Sequence, residues 1–231
     1  MNTPHRQNAP DAGTRDRKAS HDLDDAGYLA RFYGEGADTY NQRNRHGYYG
    51  PVVITALAAA MQTAYLAKER EAVEILDAGC GTGLVGVQLQ SLGFRQLDGF
   101  DLFDEMAEKA REIGVYRHVQ GNVDLNGSLS EYPNASYDMT ICCGVFVQRH
   151  VRPHGLRELA RVTRPKGMVI VSTRKSYAEA ALFEDEVQRL HDAGIVGLRQ
   201  CLKDARYYDE NAHYWVLQIP DTAAAQREEQ P

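Results

Sequence analysis

Three glycines at alternate positions, with a carboxylate just ahead of them, are the residues of this 231-residue chain best placed to do chemistry. They lie in Glu74-Ile75-Leu76-Asp77-Ala78-Gly79-Cys80-Gly81-Thr82-Gly83-Leu84. Glycines directly after a strand pattern allow a tight turn and close approach of backbone to a ligand. The helix that follows aims its free N–H groups at the same place. A dinucleotide site spaces its glycines Gly-x-Gly-x-x-Gly, whereas here the third glycine comes one residue early and Leu84 takes the later slot. Asp77 would repel a pyrophosphate but suits a cationic ligand, such as one carrying an ammonium group. Asp101 comes twenty residues after Gly81, at the end of the next strand pattern, where an acid accepts both hydroxyls of a ribose. A ligand with an amine, a ribose and no phosphate therefore suits this set better than NAD. A glycine loop alone is as often a plain strand-to-helix turn; the two carboxylates favour a ligand site.

Tyrosine is the second signal. Thirteen Tyr against six Phe and one Trp is an excess of aromatic faces that also need a polar contact. Tyr28, Tyr33, Tyr40, Tyr48 and Tyr49 precede the first core helix, and Tyr177 follows the fifth strand pattern. An aromatic face beside a cation gains roughly 0.5–2 kcal/mol, so Tyr33, Tyr40 and Tyr177 are candidates for lining the site. Tyr65, Tyr116, Tyr137, Tyr207 and Tyr208 read as half-buried packing residues. His150 and His154 sit just past the fourth strand pattern, where an imidazole deprotonates an oxygen or nitrogen nucleophile. A solvent-facing loop histidine is the simpler alternative. Between Arg149 and Lys175, eight cations face one acid, Glu158, a run that reads as a solvated helix face. No base or cation is fixed beside Cys143 in sequence, so a nucleophilic role for it has no support.

These residues need a scaffold, and the patterns supply one. Helical periods cover Pro51–Lys68, Leu84–Leu92, Asp104–Ile113, Leu156–Thr163 and Tyr177–Ala193. Strand patterns fall at Val73–Leu76, Gln96–Asp101, Val115–Val119, Tyr137–Cys143 and Met168–Thr173. Val196–Tyr208 and His213–Ile219 read as a closing antiparallel pair. Alternation of the two predicts an α/β fold, a mostly parallel sheet with helices on both faces. Right-handed crossovers then bring the carboxyl ends of the strands to one edge, where ligands bind. Every motif above except the N-terminal tyrosines falls at or near such an end.

Composition sets the outer bounds. At 43% hydrophobic and 25% charged, the chain reads as one soluble domain over residues 22–220, with a helical lid at about 22–50 and disordered tails at 1–21 and 221–231. No apolar run is long enough to span a membrane, and the polar N-terminus has no signal core, so a cytoplasmic location is expected. The net charge of −6 argues against nucleic-acid binding. Four cysteines without zinc spacing imply neither a disulfide framework nor a metal site.

With these residues in view, the chain resembles class I S-adenosylmethionine (SAM)-dependent methyltransferases over about residues 28–220, and DAGCGTG is close to their first motif. The shared GCGTGLV and RVTRPKGMVIVSTR, with the aromatic-bearing helix ending DAGI, make it similar to the methyltransferase-like proteins of the Williams–Beuren region. The resemblance implies a Rossmann-like, seven-stranded sheet with an antiparallel last strand and SAM as cosubstrate or substrate. It implies that Asp77, Gly79, Cys80, Gly81 and Gly83 hold the amino acid portion, and that Asp101 and Leu102 hold the ribose. Asn122 and Val123, in Gly121-Asn122-Val123-Asp124, would touch the adenine, and Cys142, Cys143 and Gly144 would lie beside the sulfonium. Tyr40 would sit in the lid near the SAM carboxylate. Lys166 replaces a glycine of the family's turn before the fifth strand.

Methyl transfer from a sulfonium is an in-line displacement that needs alignment and exclusion of water, with a base only for a protonated nucleophile. The candidate catalytic residues are Tyr177, His150 and Tyr33. No Asn/Asp-Pro-Pro-Tyr motif follows the fourth strand pattern, and no radical cysteine triad is present. The leading expectation is methyl transfer to a small-molecule acceptor, with a monomer or a homodimer equally compatible. Two alternatives stay open on sequence: a SAM-consuming cyclase or lyase releasing methylthioadenosine, such as an azetidine-2-carboxylate synthase, and a non-catalytic SAM-binding protein.

Overall fold

The computed structural model describes residues 47–221. The expected tails except Asp221, nearly all of the expected lid, and Tyr28, Tyr33 and Tyr40 lie outside the described residues.

Helix α1 (Gly50–Tyr65) has Pro51 in its first turn, where a missing N–H costs no intrahelical bond. A 3-10 turn leads into β1 (Glu74–Ala78), followed by α2 (Leu84–Ser91), β2 (Gln96–Phe100), α3 (Asp104–Ile113) and β3 (His118–Gln120). After β4 (Tyr137–Phe146) come α4 (Gly155–Val162), β5 (Thr163–Arg174), α5 (Lys175–Ala180) and α6 (Phe183–Asp192). Strands β6 (Gly197–Ala205) and β7 (Ala212–Gln218) close the chain. The seven strands lie in the order β3-β2-β1-β4-β5-β7-β6. All pairs are parallel except those of β7, which runs antiparallel to both β5 and β6. Strand order therefore reverses between β1 and β4, which opens a crevice at their carboxyl ends.

Successive residues of a strand face opposite sides of the sheet, and the core divides accordingly. Ile75, Ile141, Ile170 and Val216 pack under α1 and α2 on one face. Leu76, Cys142, Val171 and Trp215 pack under α4, α5 and α6 on the other. Burial on both faces explains the near-continuous apolar run of β4. Among the described residues no helix is long and apolar enough to cross a membrane.

Several expected elements differ, among them the fifth strand, which starts at Thr163 rather than Met168. Residues 177–193 form two helices rather than one, because Leu182 adopts a left-handed φ of +51° between them. The third strand starts at His118 rather than Val115, since Tyr116 and Arg117 leave the ladder to bond Asp77 and Asp98. Strand β4 runs three residues past Cys143, with its pairing to β5 shifted between Cys142 and Phe146. Helix α1 stops at Tyr65, and the chain turns so that Lys68 reaches Asp138. The cation run is only partly a solvated face: Arg149, Arg152, Arg157 and Lys166 are exposed, whereas Arg161 bonds Glu158 and the Leu129 and Tyr132 carbonyls, and Arg164 pairs with Glu74 and Asp138.

Candidate functional site

The glycine turn is stitched to the end of β2. Gly79 and Cys80 N–H both donate to the Phe100 carbonyl at 2.8 Å, and Gly81 N–H donates to Asp101 Oδ2 at 2.8 Å. Gly79, Gly81 and Gly83 all take positive φ, at +74°, +54° and +89°. At Gly79 the requirement is also steric, because a Cβ there would stand 2.2 Å from Val145 Cγ2, which projects from β4. The turn and the end of β4 are thus pressed together across the point where strand order reverses.

A second pair of connections forms the opposite wall. Asp101 N–H donates to the Gln120 carbonyl and Val123 N–H to the Asp101 carbonyl, tying the loop after β3 to the loop after β2. Asn126 then holds the segment after β4, donating from Nδ2 to the His150 carbonyl and accepting from Arg152 N–H. The walls enclose one cavity, lined by Gly79, Gly81, Asp101, Leu102, Met106, Val123, Cys143, Gly144, Val145 and His150, among others.

Of the residues singled out by sequence, Gly79, Gly81, Asp101, Leu102, Val123, Cys143 and His150 meet at this cavity. Asp77 lies beneath the turn, almost wholly buried. Cys80 is buried against Gly99, and Gly83 serves as the N-cap of α2. Asn122 lines a shallow neighbouring depression with Gln120 and Glu131 instead of the main cavity. Tyr177 does not line the cavity. Its ring packs near Phe183 and its hydroxyl donates to the Val151 carbonyl at 2.6 Å, so it buttresses the segment that carries His150. His154 reaches the Asn126 carbonyl.

Three residues read as packing have polar duties here. Tyr116 donates to Asp77 Oδ2 at 2.6 Å and accepts from Gly86 N–H at 3.0 Å, which places it behind the glycine turn. Tyr207, with Tyr48, stands over Gly144, where a Cβ would meet their hydroxyls at 2.7 and 2.8 Å. Tyr137 donates to Asp98 at 3.1 Å. A tyrosine-rich composition was the signal available for them; their partners depend on chain packing.

The electrostatics single out four groups. Burial pushes the Asp77 carboxyl up to about 7; the Tyr116 hydrogen bond opposes this and the Asp101 charge adds to it. Its Oδ1 is buried with no hydrogen-bond partner. A buried acceptor left open beside three turn glycines fits a ligand that brings its own positive donor, as the ammonium of SAM does. Asp101 is also raised by burial, opposed by N–H groups of Phe103 and Gly81. His150 moves the other way, down to about 4, through burial and then the Arg174 charge, so its imidazole is unprotonated at neutral pH. Burial raises the Cys143 thiol to about 12, which removes it as a nucleophile. Among the described residues no three His, Cys, Asp or Glu side chains cluster as a metal site.

Comparison with known proteins agrees with this geometry. Residues 75–167 match the model of a methyltransferase domain. The chain is 31% identical over 183 residues to Methyltransferase-like protein 27 of Homo sapiens, covering 77% of this chain and 72% of that one. In fold it is similar to a TehB-like SAM-dependent methyltransferase of Corynebacterium glutamicum, with a TM-score of 0.59 at 20% identity over 80% of this chain and 99% of that one. It is similar also to the magnesium protoporphyrin IX methyltransferase of Synechocystis with bound SAM, with a TM-score of 0.57 at 17% identity over 86% and 99% of the two chains. The chain belongs to the SAM-dependent methyltransferase family.

Proposed function

We propose that this methyltransferase acts on a small-molecule acceptor bound in the cavity between the glycine turn and His150. The observation that carries the reading is the presence of His150, unprotonated at neutral pH, in the same cavity as Gly79, Gly81 and Asp101. When bound, SAM supplies a methyl group on a sulfonium. In this reading Asp77 takes the ammonium, Asp101 takes the ribose hydroxyls, and Val123 packs on the adenine. Gly144 and Cys143, where β4 breaks its pairing with β5, line the cavity on the side that the sulfonium takes in this reading. His150 accepts the proton of the attacking oxygen or nitrogen, a role that needs an unprotonated imidazole within reach of the nucleophile.

The test is the nucleoside product. The full chain is incubated with SAM alone and then with a panel of small alcohols, phenols, acids and amines. S-adenosylhomocysteine formed only when an acceptor is present is the expected result. Methylthioadenosine formed without an acceptor overturns the proposal in favour of intramolecular chemistry.

A further inference from the structure

At the carboxyl end of β5, one edge of the Arg174 guanidinium is left without a partner. Its ion pairs to Asp209, at 3.2 Å, and Glu210, at 3.7 Å, are made through Nη1. Nε, on the far edge, is buried and donates to nothing. Arginine stays charged in proteins, and a buried charged donor without an acceptor is costly to maintain. The edge formed by Nε and Nη2 is the side-on fork that matches a carboxylate with two parallel hydrogen bonds.

That guanidinium lies beside the cavity, one side chain behind its lining. Its central carbon lies 5.8 Å from the centroid of the Tyr207 ring. The Tyr207 hydroxyl stands over Gly144, which lines the cavity together with His150. His150 feels the Arg174 charge, so the imidazole and the guanidinium are near each other. The acidic side chains on this rim, Asp209 and Glu210, are already engaged by Nη1, and the nearby cation of Lys175 is paired with Asp204.

We infer that the acceptor is a small carboxylic acid with a second, protic group: its carboxylate lies along the Nε–Nη2 edge of Arg174 and its hydroxyl or amine beside His150. The inference rests on the methyl-transfer reading above and names its substrate class. In the reaction the lone pair of the protic group forms the bond to the methyl carbon. The carbon–sulfur bond breaks with its electron pair kept by sulfur, and the released proton passes to the His150 imidazole. Arg174 anchors one end of the acceptor so that the other end meets the methyl group in line.

The test is a binding comparison that needs no turnover. The full chain, saturated with S-adenosylhomocysteine, is titrated by calorimetry with a panel of aromatic and aliphatic hydroxy acids and amino acids, 4-hydroxybenzoate and 3-hydroxybutyrate among them. Each acid is paired with its primary amide. The best acid is expected to bind on the order of tenfold more tightly than its amide, as for a hydrogen-bonded charge pair. Arg174→Gln should bring the two within about twofold, and Arg174→Lys should keep part of the preference. Equal binding of acid and amide by the wild type, or binding of no acid in the panel, overturns the inference. So does an Arg174→Gln protein with an unchanged melting curve that keeps the preference. The wild-type comparison stands even if a variant misfolds. Acids that bind but yield no S-adenosylhomocysteine count against the methyl-transfer reading alone. Amides methylated as fast as acids count against Arg174 recognition alone.

Discussion

The Tyr116 hydroxyl holds one oxygen of Asp77, at 2.6 Å, while the other oxygen is buried and has no partner. The same hydroxyl accepts the Gly86 N–H from the first turn of α2, so one phenol orients the carboxylate and the helix that follows the glycine turn. One half of Asp77 is fixed by the fold, and the other half is the one that takes the ammonium in the proposed reading.

Tyr116→Phe removes that anchor. It leaves the Asp77 oxygen and the Gly86 N–H unsatisfied, at a cost of about 1–3 kcal/mol. Because the hydrogen bond holds the Asp77 pKa down, its loss raises the pKa further and deepens the loss of SAM affinity below neutrality. Thermal melting and SAM titration at pH 6 and pH 8 check both effects. Equal affinity loss at the two pH values would remove Asp77 from the account.

SAM binding should release protons. The unliganded Asp77 carboxyl titrates near 7, and an ammonium beside it favours the charged form, so binding lowers the pKa and expels about half a proton at pH 7. Affinity therefore falls as pH drops below 7. The sign for stability is opposite: a carboxyl raised from its usual value stabilises the unliganded fold at low pH, and that contribution is lost as pH rises towards 7. Calorimetry in buffers of different ionisation enthalpy measures the proton; a buffer-independent binding enthalpy at pH 7 contradicts the prediction.

Gly79→Ala should abolish SAM binding through Val145. The added methyl would stand 2.2 Å from Val145 Cγ2 at a φ of +74°, combining overpacking with left-handed strain. Val145→Ala removes the clash and leaves the strain, so the double variant should recover part of the stability. No recovery in a double-mutant cycle would show that backbone strain alone decides the outcome.

His150→Gln should lower acceptor turnover by about 10²–10⁴-fold, the usual contribution of a positioned base. With its pKa near 4, His150 remains a base well below neutrality. At saturating SAM, and with an acceptor that does not itself titrate, kcat/KM should stay level from pH 8 to about 5. An inflection near 6.5 points instead to an exposed histidine or another group.

Much of this site was legible from residue order, and the reason is local. The turn glycines and Asp101 sit at fixed distances from strand ends, so their spacing places them at one sheet edge. His150 follows from the same logic, one loop beyond β4. Tyr116 was not legible because its partner is 39 positions away and is reached only after it leaves the β3 ladder. Arg174 and Tyr207 meet only because β7 inserts between β5 and β6 and returns the chain to the cavity's rim. The break at Leu182 had no glycine or proline to announce it. Tyr177, placed correctly after the fifth strand, turned inward because the Val151 carbonyl offered its hydroxyl a buried partner.

The central claim is that the glycine turn and Asp101 together form the SAM site. Calorimetric titration of SAM into the wild type and Asp101→Ala tests it most directly, with melting curves to verify the fold. Losing hydrogen bonds to a charged group costs roughly 1.5–3 kcal/mol, so the variant should bind about tenfold or more weakly. A folded Asp101→Ala protein that binds SAM as tightly as the wild type contradicts the account.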